Sequence, residues 1–115
     1  MFLCVFCIVP SPPTNLLLSE RSSRSLKFEW ESPLLPHGII KYYLVIYRGI
    51  KTLNPVDDSF SAAKEKVANG ISMEVKGLEP YSEYEIRVQA ANGHALSAGR
   101  MITGRTLEDG EPLNN

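Results

Sequence analysis

The stretch GLEPYSEYEIRVQA, Gly77 to Ala90, decides the fold. Its second half alternates: Tyr84, Ile86, Val88 and Ala90 fall on one face, and Glu85, Arg87 and Gln89 on the other. Apolar and polar residues at period two describe a strand with one face buried and the other solvated. Two tyrosines crowd its entrance. In two-sheet antiparallel sandwiches, a tyrosine near the start of the sixth strand turns its ring inward. Its hydroxyl then hydrogen-bonds back to the chain at the corner between the sheets. Tyr84 has that position, following Leu78 and Pro80 in the pattern L-x-P-x-x-x-Y-x-I-x-V. Tyr81 is then expected in the corner turn, more exposed, shielding the end of the core.

The same period runs outward through the chain. In SLKFEWE, Leu26, Phe28 and Trp30 alternate with Lys27, Glu29 and Glu31. Upstream, PSPPTNLLLSE opens with prolines that hold the backbone extended, and Leu16 and Leu18 share a face. ESPLLPHGII is punctuated by Pro33, Pro36 and Gly38 as a connection, and IIKYYLVIYRG follows it, dense in β-branched and aromatic residues. There Tyr43, Val45 and Tyr47 share one face, while Tyr42, Leu44 and Ile46 make the other apolar too. That strand is expected to be central or partly covered on its second side. Ile71, Met73 and Val75 alternate in ISMEVKGL, Asn92-Gly93 signals a turn, and a last strand is expected over Arg100 to Thr106 with Met101 and Thr103 inward.

Residues 57–68 carry conflicting signals. Asp57, Asp58 or Ser59 as a cap, Phe60, Ala63 and Val67 at helical spacing, and Asn69-Gly70 as a stop all suggest a short helix. The surrounding strands favour an edge strand instead, with Lys64, Glu65 and Lys66 discouraging edge-to-edge pairing. A helix in so small a sandwich would need its own covering layer, so the strand is preferred. The expectation is an all-β, immunoglobulin-like, seven-stranded antiparallel β-sandwich. Its core candidates are Trp30, Tyr43, Val45, Leu78, Tyr84, Ile86 and Val88.

The bulk numbers agree with one domain. The chain has 115 residues, 43% hydrophobic and 22% charged, with a net charge of −1. No basic stripe is present to release counterions from a phosphate backbone, which argues against nucleic acid as a partner. The apolar run Phe2–Val9 is too short to span a bilayer, so no direct membrane insertion is expected. It reads as a weak, truncated signal peptide or as an artificial start, and residues 1–9 are set apart on that ground. Cys4 and Cys7 form a C-x-x-C pair without the helix start or the further ligands that redox or zinc chemistry requires.

Five separated blocks, PSPPTNL, SLKFEW, PHGIIKYYLVIY, GLEPYSEYEIRVQAANG and GRTLEDGEP, resemble in order and spacing a fibronectin type III domain. The resemblance runs from about Val9 to Glu111 and places the domain at 10–108, with 109–115 as a linker or tail. Trp30 matches the family's core tryptophan, Leu78 the leucine before the corner, and Tyr84 the corner tyrosine. The wording is most similar to modules of long arrays, as in receptor tyrosine phosphatases, usherin-like proteins and neural adhesion receptors. The resemblance implies a non-catalytic protein-binding and spacer module of an extracellular or cell-surface protein, flanked by neighbouring fibronectin type III domains. The alternative is an intracellular structural module of a giant muscle-like protein, and a cytoplasmic place stays open with it. No Arg-Gly-Asp and no Trp-Ser-x-Trp-Ser occurs, so neither the integrin-binding loop nor the cytokine-receptor signature is implied.

Little chemistry is legible. His37 and His94 lie in connections that such a sandwich brings to one end, but no further ligand stands beside them and solvated loop histidines are the simpler reading. Asp57-Asp58 lacks the oxygen count of a calcium loop. No serine sits in a G-x-S-x-G elbow. No enzyme activity, cofactor or metal is expected. The loop NGHALSAG is the candidate for partner contacts through His94, Leu96 and Arg100, against the plain alternative of an ordinary hairpin connection.

Overall fold

A computed structural model describes residues 8–53, 56–57 and 63–109. The elements are β1 (Thr14–Arg21), β2 (Ser25–Glu31), β3 (Tyr42–Leu53), β4 (Val56–Asp57), β5 (Lys64–Ala68), β6 (Ser72–Lys76), β7 (Ser82–Ala91) and β8 (Arg100–Arg105). One sheet has the order β1-β2-β6. In the other, β3 pairs with β7 on one side and with both β4 and β5 on the other, and β8 closes the far edge. Every pairing is antiparallel. Without the two-residue β4, seven strands make the two-layer sandwich. Among the described residues there is no helix. Cys4 and Cys7 with the apolar opening up to residue 7, Asp58, Ser59 and Phe60, and the tail beyond Asp109 lie outside the described residues.

Period-two faces and cross-strand register build the core together. Leu26, Phe28 and Trp30 on β2 point at the second sheet, where Tyr43, Val45 and Tyr47 on β3 stand opposite Ala90, Val88 and Ile86 on β7. All nine are buried, and Val75, Leu78 and Tyr84 join them. Trp30, only 2% exposed, meets the Tyr43 ring edge-on with centroids 5.4 Å apart and planes at 63°. Offset edge contacts of this kind suit the ring quadrupoles. β3 is central because it is paired on both sides, and its outer face is only partly covered, with Leu44 and Ile46 half-buried and Tyr42 exposed. β5 is an edge strand with Lys64, Glu65 and Lys66 exposed, and it pairs Lys64–Ala68 with Tyr47–Tyr43.

The last strand departs from expectation. Ile102 pairs with the buried Ile86 and Gly104 with Tyr84, so Ile102, Gly104 and Thr106 face inward and Met101 and Thr103 face out. The inner face was hidden in the sequence because one of its positions is glycine. A Cβ on Gly104 would sit 3.5 Å from both Leu18 and Leu26 and 3.8 Å from Phe28. Those are ordinary contact distances, so position 104 faces the core among these three side chains.

At the corner, the Glu79 N–H donates to the Tyr84 hydroxyl at 2.8 Å. The turn itself is locked by Gly77 at φ 74° and Tyr81 at φ 45°. Thr106 Oγ1 donates to the Glu79 carbonyl at 2.7 Å and accepts from the Ser82 N–H at 2.9 Å. Half-buried Tyr81 lies under the Arg105 guanidinium, 4.9 Å from its ring centroid. Burial raises the Tyr84 hydroxyl's pKa, partly offset by the Glu79 N–H, while the Glu79 carboxylate and Tyr47 push it further up.

Tyr84→Phe is expected to cost about 1–2 kcal/mol, because it strands the Glu79 N–H. The sign of the pH effect follows from the raised pKa. The folded state holds the phenolic proton more tightly than the unfolded one, so this stabilisation is complete below about pH 10 and falls as pH rises above it. Thermal melts of parent and variant should therefore differ most at neutral pH, and the gap should narrow in alkali. An unchanged gap would mean that Tyr84 does not titrate as its surroundings demand.

Candidate functional site

Three segments converge at one end of the sandwich: the lead-in to β1 (residues 8–13), the β2–β3 connection (32–41) and the β7–β8 connection (92–99). Pro, Gly and Asn supply the turns that end the strands here, with His37 at φ 51°, Gly38 at φ 130° and Gly93 at φ 89°. Histidine is one of the few non-glycine types that tolerates this region.

Asn92 joins the three segments. Its side chain is 3% exposed, and Nδ2 donates to the carbonyls of Ile8 (2.8 Å), Pro36 (3.0 Å) and His37 (3.0 Å). Oδ1 accepts from the N–H groups of His94 (2.9 Å) and Ala95 (3.1 Å). One primary amide has two N–H bonds, here shared among three carbonyls, and two acceptor lone pairs, each taken, so this one is fully used. The lead-in is held again by Ser11, whose N–H donates to the Leu35 carbonyl at 2.8 Å and whose hydroxyl accepts from the Leu35 N–H at 2.9 Å. Within the hairpin, Ser97 Oγ accepts from the Ala90 N–H and the Gln89 amide donates to the Ser97 carbonyl.

His94 and Leu96 line one open hollow, together with Tyr42, Ala91, Gly93 and Ala95. Arg100 is not among its lining residues. Its Nε donates to the Pro13 carbonyl at 3.1 Å, tying β8 to the lead-in. Leu34, Leu35 and Ile39 in the neighbouring connection are 81%, 61% and 75% exposed. Sequence reasoning passed over these three and read Asn92 only as a turn former. The signal for the leucines and isoleucine was present: apolar pairs set between prolines and glycine, where no strand can bury them. Asn92 carried no such signal, since the three carbonyls it donates to are 84, 56 and 55 residues away.

His37 and His94 do reach the same end. Among the described residues, no group of three or more His, Cys, Asp or Glu is placed to hold a metal ion, and no helix is long and apolar enough to cross a membrane. The end of the sandwich thus presents apolar side chains on a tightly hydrogen-bonded backbone, an arrangement suited to surface contact.

Known proteins share this build. The chain is 33% identical over 84 residues to "Receptor-type tyrosine-protein phosphatase F" of Danio rerio, covering 73% of this chain and 4% of that protein. It is 34% identical over 84 residues to "Neural cell adhesion molecule L1-like protein" of Mus musculus, covering 73% and 7%. The chain therefore spans less than a tenth of either relative's length. Among solved structures, the FN3 domain of human collagen XX superposes with a TM-score of 0.68 at 22% identity, covering 84% of this chain and 91% of that one. A family model for the fibronectin type III domain matches residues 11–101. With that match over most of its length, and with the sandwich and tyrosine corner described above, the chain belongs to the fibronectin type III domain family.

Proposed function

We propose that this chain is a non-catalytic module, residues 10–108, that spaces its neighbours and binds protein in an extracellular adhesion molecule or receptor, with residues 109–115 as a linker. The observation that supports it best is the apolar surface on the loop end. Leu34, Leu35, Ile39 and Leu96 are exposed on loops that Asn92 ties into one piece, and Tyr42 is exposed beside them at the start of β3. Exposed apolar patches on a soluble domain mark interaction sites, and a pre-ordered backbone loses little entropy on binding. Tyr42 is the aromatic anchor, His94 and Leu96 supply contacts beside it, and Arg100 adds a charge on the rim. The relatives' names, a receptor and an adhesion molecule, support the same placement.

A bivalent form of the chain, applied to an array of receptor and adhesion ectodomains, is expected to bind saturably. Leu34→Ser combined with Ile39→Ser should weaken that binding at least about tenfold, or 1.4 kcal/mol, with the melting temperature nearly unchanged because these two side chains are the most exposed of the set. Failure to bind any ectodomain, or equal binding by the double variant, would overturn the proposal.

A further inference from the structure

The sequence contains two Asn-Gly dipeptides, Asn69-Gly70 and Asn92-Gly93, and the fold gives them opposite surroundings. Asn69 and Gly70 form the turn between β5 and β6, and both are exposed. Among the described residues, the turn and loop hydrogen bonds include none from the Gly70 N–H, and a Cβ built on Gly70 would meet nothing within 4 Å. Asn92 is the reverse case, buried and held through both ends of its amide. Gly93 beside it is covered by the Lys41 side chain, 3.6 Å from where its Cβ would stand.

An asparagine followed by glycine offers the least obstructed attack of a backbone nitrogen on a side-chain carbonyl, because glycine has no Cβ to block the approach. We infer that Asn69 is a site of charge-changing modification in the folded protein, whereas Asn92 is protected. The Gly70 nitrogen loses its proton to hydroxide and attacks Cγ of Asn69. A C–N bond forms, the bond from Cγ to Nδ2 breaks, and ammonia leaves with a proton from water, giving a cyclic succinimide. Water then opens the ring at either carbonyl. One opening gives aspartate, and the other gives isoaspartate, in which the backbone runs through the former side chain. Either product adds a negative charge to a chain of net charge −1, in the turn that carries the chain from one sheet to the other. No oxidation or reduction occurs.

At Asn92 the same attack needs Cγ to rotate toward the Gly93 nitrogen. That motion breaks the bonds to Ile8, Pro36, His37, His94 and Ala95 together. It therefore proceeds only through a local opening of the whole loop end, and its rate is scaled down by the population of that opened state.

The test is peptide mapping by mass spectrometry after the folded chain has stood at mildly alkaline pH, with separation of the two acid isomers. Acid forms should accumulate at residue 69, while conversion at Asn92 runs slower by about a hundredfold or more. In urea the two sites should convert at similar rates. Gly70→Ala fits the fold, since Gly70 has no left-handed φ and open space around it, and it should suppress conversion at residue 69 without lowering the melting temperature. Equal rates at both sites in the folded protein would overturn the inference. So would an Asn69 that stays amide when folded yet converts in urea, or a Gly70→Ala variant that converts as fast as the parent.

Discussion

Trp30→Ala is expected to lower the stability of this domain by about 3–5 kcal/mol, the range for removing a buried large aromatic. The indole fills the space between the sheets, with Phe28 and Leu26 on its own strand and Tyr43 across from it. Truncation loses the transfer energy of the ring and leaves a cavity, because the strands on either side are held by their own ladders and cannot close on it. Domains of this size have only about 5–15 kcal/mol in total, so the variant should melt more than about 10 °C below the parent. Trp30→Phe keeps much of the volume and should recover a large part of the loss. A Trp30→Ala protein that melts within a degree or two of the parent would falsify this account of the core.

Asn92→Ala should cost about 2–4 kcal/mol, large for a loop residue, because several backbone groups lose their partner at once. The Asn92→Asp variant separates hydrogen bonding from volume. It is nearly isosteric, and its carboxylate still accepts from His94 and Ala95. It has nothing to donate to the carbonyls of Ile8, Pro36 and His37, and a charge in a buried site adds a desolvation cost. If donation is what ties the loops, Asp should be at least as destabilising as Ala at neutral pH. Hydrogen exchange should then show early opening confined to the loop end, with the β3–β7 ladder still protected. If Asp restores the parent's melting temperature, shape alone was holding the loops.

The two residues illustrate different kinds of information. Trp30 could be read as core from its neighbours in SLKFEWE, because burial at period two is written into successive residues of one strand. The corner tyrosine was legible for a similar reason: Leu78, Pro80 and Tyr84 stand close together in the chain, and the bond from Glu79 to Tyr84 spans only 5 residues. Residues 64–68, the described end of the segment with conflicting signals, show where local propensity yields. Helical spacing competed there with the unpaired side of β3, and the pairing of Lys64–Ala68 with that strand prevailed.

By itself, then, the sequence determined the two-sheet sandwich, the inward faces of β2, β3 and β7, and the tyrosine corner. Each of these depends on how individual side chains partition between water and core over a few successive residues. Only the tertiary structure decided the register of β8, where an inward glycine erased the alternation, and the union of lead-in and loops around Asn92. It also set the contrast between the exposed Asn69 turn and its buried counterpart. Those features arise from pairings between distant parts of the chain, and such pairings leave no periodic trace in the residues that make them.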